Sequence, residues 1–180
     1  AYKACVEAGG CTAPASGLRF NWNNPTRADH PINGVTWAQA RAYCIWAGKR
    51  LPSEAEWEKA ARGNDRRLYP WGNQKPDCSV AVISEGRNQG GCGSGTTSPV
   101  CSKPKGHSPY GLCDMGGNVS EWVEDAWSLY GKEAGPEGQG FRIRRGDSYE
   151  SSPGKYSRIS FRLQTTGDSA SHYGGFRCAK

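Results

Sequence analysis

Eight cysteines in 180 residues, four of them in a Gly/Pro/Ser-rich stretch between 76 and 113, constrain this chain more than any other feature. They stand at positions 5, 11, 44, 78, 92, 101, 113 and 178. The count is even and no two form a C-x-x-C pair, which argues for disulfides over zinc. Disulfides persist in oxidising compartments, so the chain is expected to be secreted, periplasmic or displayed at a cell surface. With 25 Gly, 11 Pro and a hydrophobic fraction of 36%, the fold should be rich in loops, its core supplied largely by seven Trp and eight Tyr. The length suits one domain over 1–180, and neither an internal repeat nor a linker is visible.

Some function classes fall away. No run of about 18 apolar residues is present, so no membrane span is expected. Net charge is +6, yet the basic residues are scattered; the one dense run is Arg142-Ile143-Arg144-Arg145. Without interleaved aromatics this run predicts a solvated strand or a buried arginine ladder, and no nucleic-acid partner. The opening Ala1-Tyr2-Lys3 reads as the middle of a helix, which suggests that an N-terminal part is missing.

Tyr2 to Ala8 predicts a helix that stops at Gly9-Gly10, with Cys5 and Cys11 placed to staple its end. Thr36 and Gln39 make a capping box for a helix that turns Trp37, Ala40, Tyr43, Cys44 and Ala47 to one face and ends at Gly48. Ser53 and Glu56 make a second box, for a helix running to Arg62 with Trp57 and Ala61 on its buried side. An aromatic turn follows at Tyr69-Pro70-Trp71-Gly72-Asn73, and 74–110 shows no sustained periodicity. Short strands are expected at Glu121–Val123, Phe141–Arg144, Ser157–Arg162 and Gly175–Cys178. Helices first and strands last read as an α+β unit.

Residues 111–122, Gly-Leu-Cys-Asp-Met-Gly-Gly-Asn-Val-Ser-Glu-Trp, place Asp114 and Glu121 around a glycine turn. Two carboxylates and the carbonyls between them can surround a hard cation such as Ca²⁺. The alternative is an Asp-initiated turn that leads into a strand ending at a buried Trp.

Several motifs closely resemble the formylglycine-generating enzyme (sulfatase-modifying factor) family: Trp37 to Arg62, Tyr69-Pro-Trp-Gly-Asn73, Gly111 to Trp122, Arg145-Gly-Asp-Ser-Tyr149 and Gly175-Phe-Arg-Cys-Ala179, together covering about 30–180. The resemblance implies a loop-rich variant of the C-type lectin fold. It implies a structural Ca²⁺ held by the side chains of Asp114 and Glu121 and the carbonyls of Gly117 and Val119. A second family Ca²⁺ site lacks its Asn near Ser79–Ile83. The resemblance also pairs Cys44 with Cys178. Cys5–Cys11 follows from proximity; among Cys78, Cys92, Cys101 and Cys113 three pairings stay open, with Cys78–Cys92 and Cys101–Cys113 favoured because short loops close most easily.

Family enzymes oxidise a substrate cysteine with two active-site cysteines that hold copper. The ungapped match puts Ser151 and Tyr156 at those positions, and no cysteine stands between Cys113 and Cys178. A hydroxyl replaces neither the copper affinity nor the redox chemistry of a thiolate. Iron-dependent branches of the superfamily use histidine clusters, whereas His30, His107 and His172 are isolated in sequence. Copper and iron are therefore not expected. The family pocket corresponds to about 147–176, dense here in hydroxyl and aromatic groups. Ser148, Tyr149, Ser151, Tyr156, His172 and Tyr173 are the candidate ligand-binding residues, with Arg158 and Arg162 for carboxylate or phosphate contacts.

These observations together predict a non-catalytic, calcium-stabilised extracytoplasmic module that binds a protein, peptide or glycan, or that serves as a subunit of a surface assembly. The alternatives are a metal-dependent oxidase of the superfamily and a hypervariable ligand-binding protein of a diversity-generating system, whose varied segment 147–173 matches in position and composition.

Overall fold

The computed structural model describes residues 1–85, 90–128 and 140–180, apart from the side chain of Lys155. Three helices precede four strands: α1 (Tyr2–Glu7), α2 (Trp37–Trp46), α3 (Glu54–Arg62), β1 (Ser120–Ala126), β2 (Phe141–Arg145), β3 (Arg162–Thr166) and β4 (Gly174–Phe176). Both predicted capping boxes form: the Thr36 and Ser53 side chains accept the amides of Gln39 and Glu56, whose side chains reach back.

The strands make one sheet in the order β3-β2-β1-β4, antiparallel except for the β1–β4 pair. Successive side chains of a strand face opposite sides, so β1 builds two cores at once. Trp122 packs with Tyr2, Val35, Ala40, Cys44 and Leu51 on the α1–α2 side. Val123 packs with Trp57, Ala61, Met115, Ile143 and Ile159 on the α3 side. This is the α+β, C-type-lectin-like architecture expected from the sequence.

The run 142–145 is an arginine ladder, half-buried at Arg142 and buried at Arg144 and Arg145, resolved by the same alternation. Arg142 lies 3.8 Å over Trp37 and Arg144 lies 3.9 Å over Trp122. Arg145 faces the other way and pairs with Glu54 and Glu58 at 2.6 Å each. Burial lowers the Arg144 guanidinium to about 10.

One strand moves relative to its expected place. Ser157–Arg162 is not a strand: Lys155–Ser157 is a short 3-10 turn, Ile159 turns into the core, and pairing with β2 begins only at Arg162. The Pro153-Gly154 turn delays the extended segment until the Thr-rich stretch that suits a sheet edge. All four disulfides form as expected: Cys5–Cys11, Cys44–Cys178, Cys78–Cys92 and Cys101–Cys113. Among the described residues no helix is long and apolar enough to cross a membrane.

Candidate functional site

The 114–121 loop is a hub. Asp114 and Asn118 adopt left-handed backbone, φ +54° and +66°, as does Gly117 at +89°. A Cβ on Gly117 would stand 2.7 Å from the Val82 carbonyl, so only glycine fits. Asp114 Oδ2 accepts the Cys101 amide at 2.8 Å and the Asn118 side-chain amide at 3.4 Å. Glu121 is buried; its carboxylate accepts Trp57 Nε1 at 2.6 Å and both Nε and Nη2 of Arg177 at 2.6 Å.

The donor set suits a hard cation, being all oxygen. Among the described residues, neither the Gly117 nor the Val119 carbonyl takes up a backbone N–H outside the sheet. Against this, Arg177 already balances the charge of Glu121. Cys101 and Cys113 bring their sulfurs near Asp114, but in a disulfide they offer no thiolate.

The same loop carries the pocket segment. The Asn118 carbonyl accepts the Tyr149 amide at 3.0 Å. Asp147 is buried, held by the Ser157 hydroxyl and the Gly117 amide; burial pushes its carboxyl up to about 6, and among the described residues its Oδ1 has no hydrogen-bond partner.

Above Asp147 the predicted ligand residues separate into two groups. In the first, Ser148 pairs with Ser151 and Tyr149, His172 and Tyr173 contact one another, with Glu150 between the two sets: its amide meets Ser148 Oγ at 3.4 Å and its carboxylate lies 3.9 Å from His172 Nδ1. Ser151 Oγ accepts the Ser148 amide at 3.0 Å, and the two hydroxyls lie 3.3 Å apart. Tyr149 is buried beneath, its hydroxyl 2.8 Å from His172 Nδ1, and the Tyr173 ring stands edge-on to His172. Burial, then Glu150, raises the Tyr149 phenol; burial lowers His172, so the ring is neutral near pH 7.

Three residues complete the cluster that sequence reasoning had not joined to it. Arg19 donates to Glu150 at 2.8 Å and approaches His172 Nε2 at 3.4 Å, and Phe20 meets the His172 ring edge-on. A guanidinium only donates. The Arg19 contact therefore selects the tautomer in which Nε2 accepts and Nδ1 carries the proton. No local signal marks Arg19 or Phe20, which lie in an irregular loop about 130–150 residues from their partners.

The second group stands elsewhere. Tyr156 sits on the 3-10 turn with its ring against Phe161, and Arg158 is exposed. Arg162 is not a pocket cation: its guanidinium holds both oxygens of Glu54 and lies over Trp127. Of the histidines, His30 bonds Thr97 and His172 bonds Tyr149. Among the described residues, neither joins a group of three potential metal ligands.

A sheet with an acid-glycine hub beneath a hydroxyl-rich segment defines a C-type-lectin-like scaffold. The chain belongs to the sulfatase-modifying factor enzyme 1-like domain family, which it matches over residues 1–180. It is 39% identical over 183 residues to the formylglycine-generating enzyme of Mus musculus, across 88% of this chain and 48% of that protein. It is 38% identical over 175 residues to the inactive C-alpha-formylglycine-generating enzyme 2 of Bos taurus, across 92% of this chain and 53% of that protein. The chain thus spans about half the length of these curated relatives. The solved structure of PvdO from Pseudomonas aeruginosa superposes with a TM-score of 0.75 at 24% identity, over 97% of this chain and 73% of that one, a likeness of fold.

Proposed function

We propose that this domain is a non-catalytic, calcium-stabilised extracytoplasmic module that binds a protein, peptide or glycan at the Ser148–Ser151–His172 cluster. One observation carries the reading: all eight cysteines are spent in disulfides, and the positions that match the family's catalytic pair hold Ser151 and Tyr156. No thiolate is left to hold copper or to exchange with a substrate thiol. A relative named as inactive, at 38% identity, is consistent with a binding role on this scaffold. Four disulfides fit an oxidising compartment.

Asp114, Gly117, Val119 and Glu121 would hold the Ca²⁺, which would add positive charge and stiffen the hub under the pocket. Because Arg177 already neutralises Glu121, the affinity expected is that of extracellular modules, roughly 10⁻⁴–10⁻³ M. The surface above offers the partly exposed Ser151 hydroxyl, a neutral imidazole and aromatic edges, a mixture that adaptable binding surfaces use.

The hypervariable alternative fits the same fold, but variation would have to spare two hydroxyls of 147–173 that are committed internally. Ser157 holds Asp147, while Ser171 and the Ser169 carbonyl hold Arg144. Free variation there would release buried charges.

The test combines metal analysis, turnover and binding. The protein incubated with Cu(I) or Fe(II) and a cysteine-containing peptide should leave the thiol unoxidised; turnover with stoichiometric copper or iron would overturn the proposal. On peptide and glycan arrays, a hit should weaken about tenfold in His172→Ala, the loss expected of one well-placed polar contact. Added Ca²⁺ should raise Tm by mass action, and Asp114→Ala should abolish that rise.

A further inference from the structure

A cavity of about 750 Å³ opens on the α1–α2 side of the sheet, lined by the start of α1, the 21–32 loop, the end of α2, Val100 and the segment Phe176–Cys178. None of Ser148, Tyr149, Ser151 or His172 lines it. The volume falls within the roughly 300–1,000 Å³ of small-molecule sites.

Its inner wall is aromatic. Tyr2 stacks on Tyr43 at 5.3 Å and meets Trp22 edge-on at 6.1 Å; Tyr43 meets Phe176 at 5.4 Å. Tyr2 is buried, its hydroxyl donates to the Thr12 carbonyl at 3.2 Å, and burial pushes the phenol up to about 12, so this wall carries no charge at neutral pH. Such a wall accepts a planar ring by offset stacking or edge contact.

The rim is cationic. Lys3, Arg27, Lys49 and Arg177 line the cavity against one acid, Asp29. Arg177 is neutralised by Glu121. Lys3 meets Glu7 only at 4.0 Å in an exposed pair, which contributes little. The Arg27 guanidinium donates to neutral oxygens, the Leu18 carbonyl at 3.3 Å and Asn21 Oδ1 at 3.4 Å. A ligand that puts a ring against the aromatic wall would therefore bring its other end to a rim that stays net positive despite Asp29.

We infer that this cavity is a second ligand site, for a small planar aromatic anion, a carboxylate or sulfonate, bound ring-inward with its charge between Lys49 and Arg27. It is independent of the pocket proposed above, and it stands or falls without it.

Anilinonaphthalene sulfonate is the probe, with neutral phenyl-naphthylamine as its comparison. The sulfonate should bind one-to-one, with a fluorescence gain and blue shift, and about fivefold more tightly than the neutral amine, the ratio of about 1 kcal/mol for one exposed charge contact. Trp22→Ala should weaken it about tenfold through the lost ring contact. Because Trp22 also supports the core, Val100→Trp, which fills the mouth from an exposed position, is the second variant and should cost at least as much. Ile45→Ser, which removes an exposed apolar side chain elsewhere on α2, should change nothing. The inference fails if Val100→Trp binds as well as the parent, if the neutral amine binds equally, or if Ile45→Ser abolishes the signal.

Discussion

Glu121 shows how one residue can serve two readings. Spacing alone marks it as an acid that closes a glycine turn, suited to a cation. The fold adds Trp57 from α3 and Arg177 from beyond β4, 64 and 56 residues away, both on the same carboxylate. A largely buried ion pair is costly to break from one side, because the remaining charge has no partner. Glu121→Gln should therefore destabilise the domain by about 2–3 kcal/mol, less than for a fully buried pair because Arg177 keeps partial access to water. Urea unfolding checks this, and a loss below about 0.5 kcal/mol would mean that the pair is solvated. Asp114 was legible from its turn, and so were the paired roles of Thr36 with Gln39 and Ser53 with Glu56, because these signals lie within a few residues. Arg19 was not legible, since its partners come from the far end of the chain.

At the scale of elements, α3 depends on its first turn. Glu56 closes the capping box and also grips Arg50 with both oxygens at 2.6 Å. The Arg50 hydrogen bond, and then the Ser53 amide, lower its carboxyl from 4.5 to about 2. A depressed folded pKa gives stability that is present above the unfolded value and lost as pH falls. The wild type should thus lose stability between about pH 4.5 and 2 through this group. Glu56→Gln should flatten that part of the acid limb in thermal melts; an unchanged slope would refute the assignment. The misplaced strand belongs at this scale too. Ser157–Arg162 has strand-like composition, but Arg162 finds Glu54 and Trp127, Ile159 finds the core, and the ladder with β2 sets the start at Arg162. Register is a property of two strands, and one segment read alone cannot supply it.

For the whole molecule, the disulfides differ in what they constrain. Cys5–Cys11 closes 6 residues, whereas Cys44–Cys178 closes 134 and ties α2 to the chain beyond β4. Loop-closure entropy grows with the logarithm of length, so replacing Cys44 and Cys178 together by Ala should cost about 2–3 kcal/mol more than replacing Cys5 and Cys11. Denaturant titration of the two double variants compares them, and equal losses would show that strain or residual structure dominates. The sequence alone determined the family motifs, both helix caps, the glycine turn between Asp114 and Glu121 and the absence of any cysteine between Cys113 and Cys178, because each is read directly from residue type and spacing. Only the tertiary structure decided that the 142–145 arginines are a ladder buried at Arg144 and Arg145, that Arg162 is structural, that Arg19 and Phe20 join His172, and that an aromatic cavity lies on the α1–α2 side. Those outcomes depend on which distant side chains share a face of the sheet, and that is set by strand order and packing.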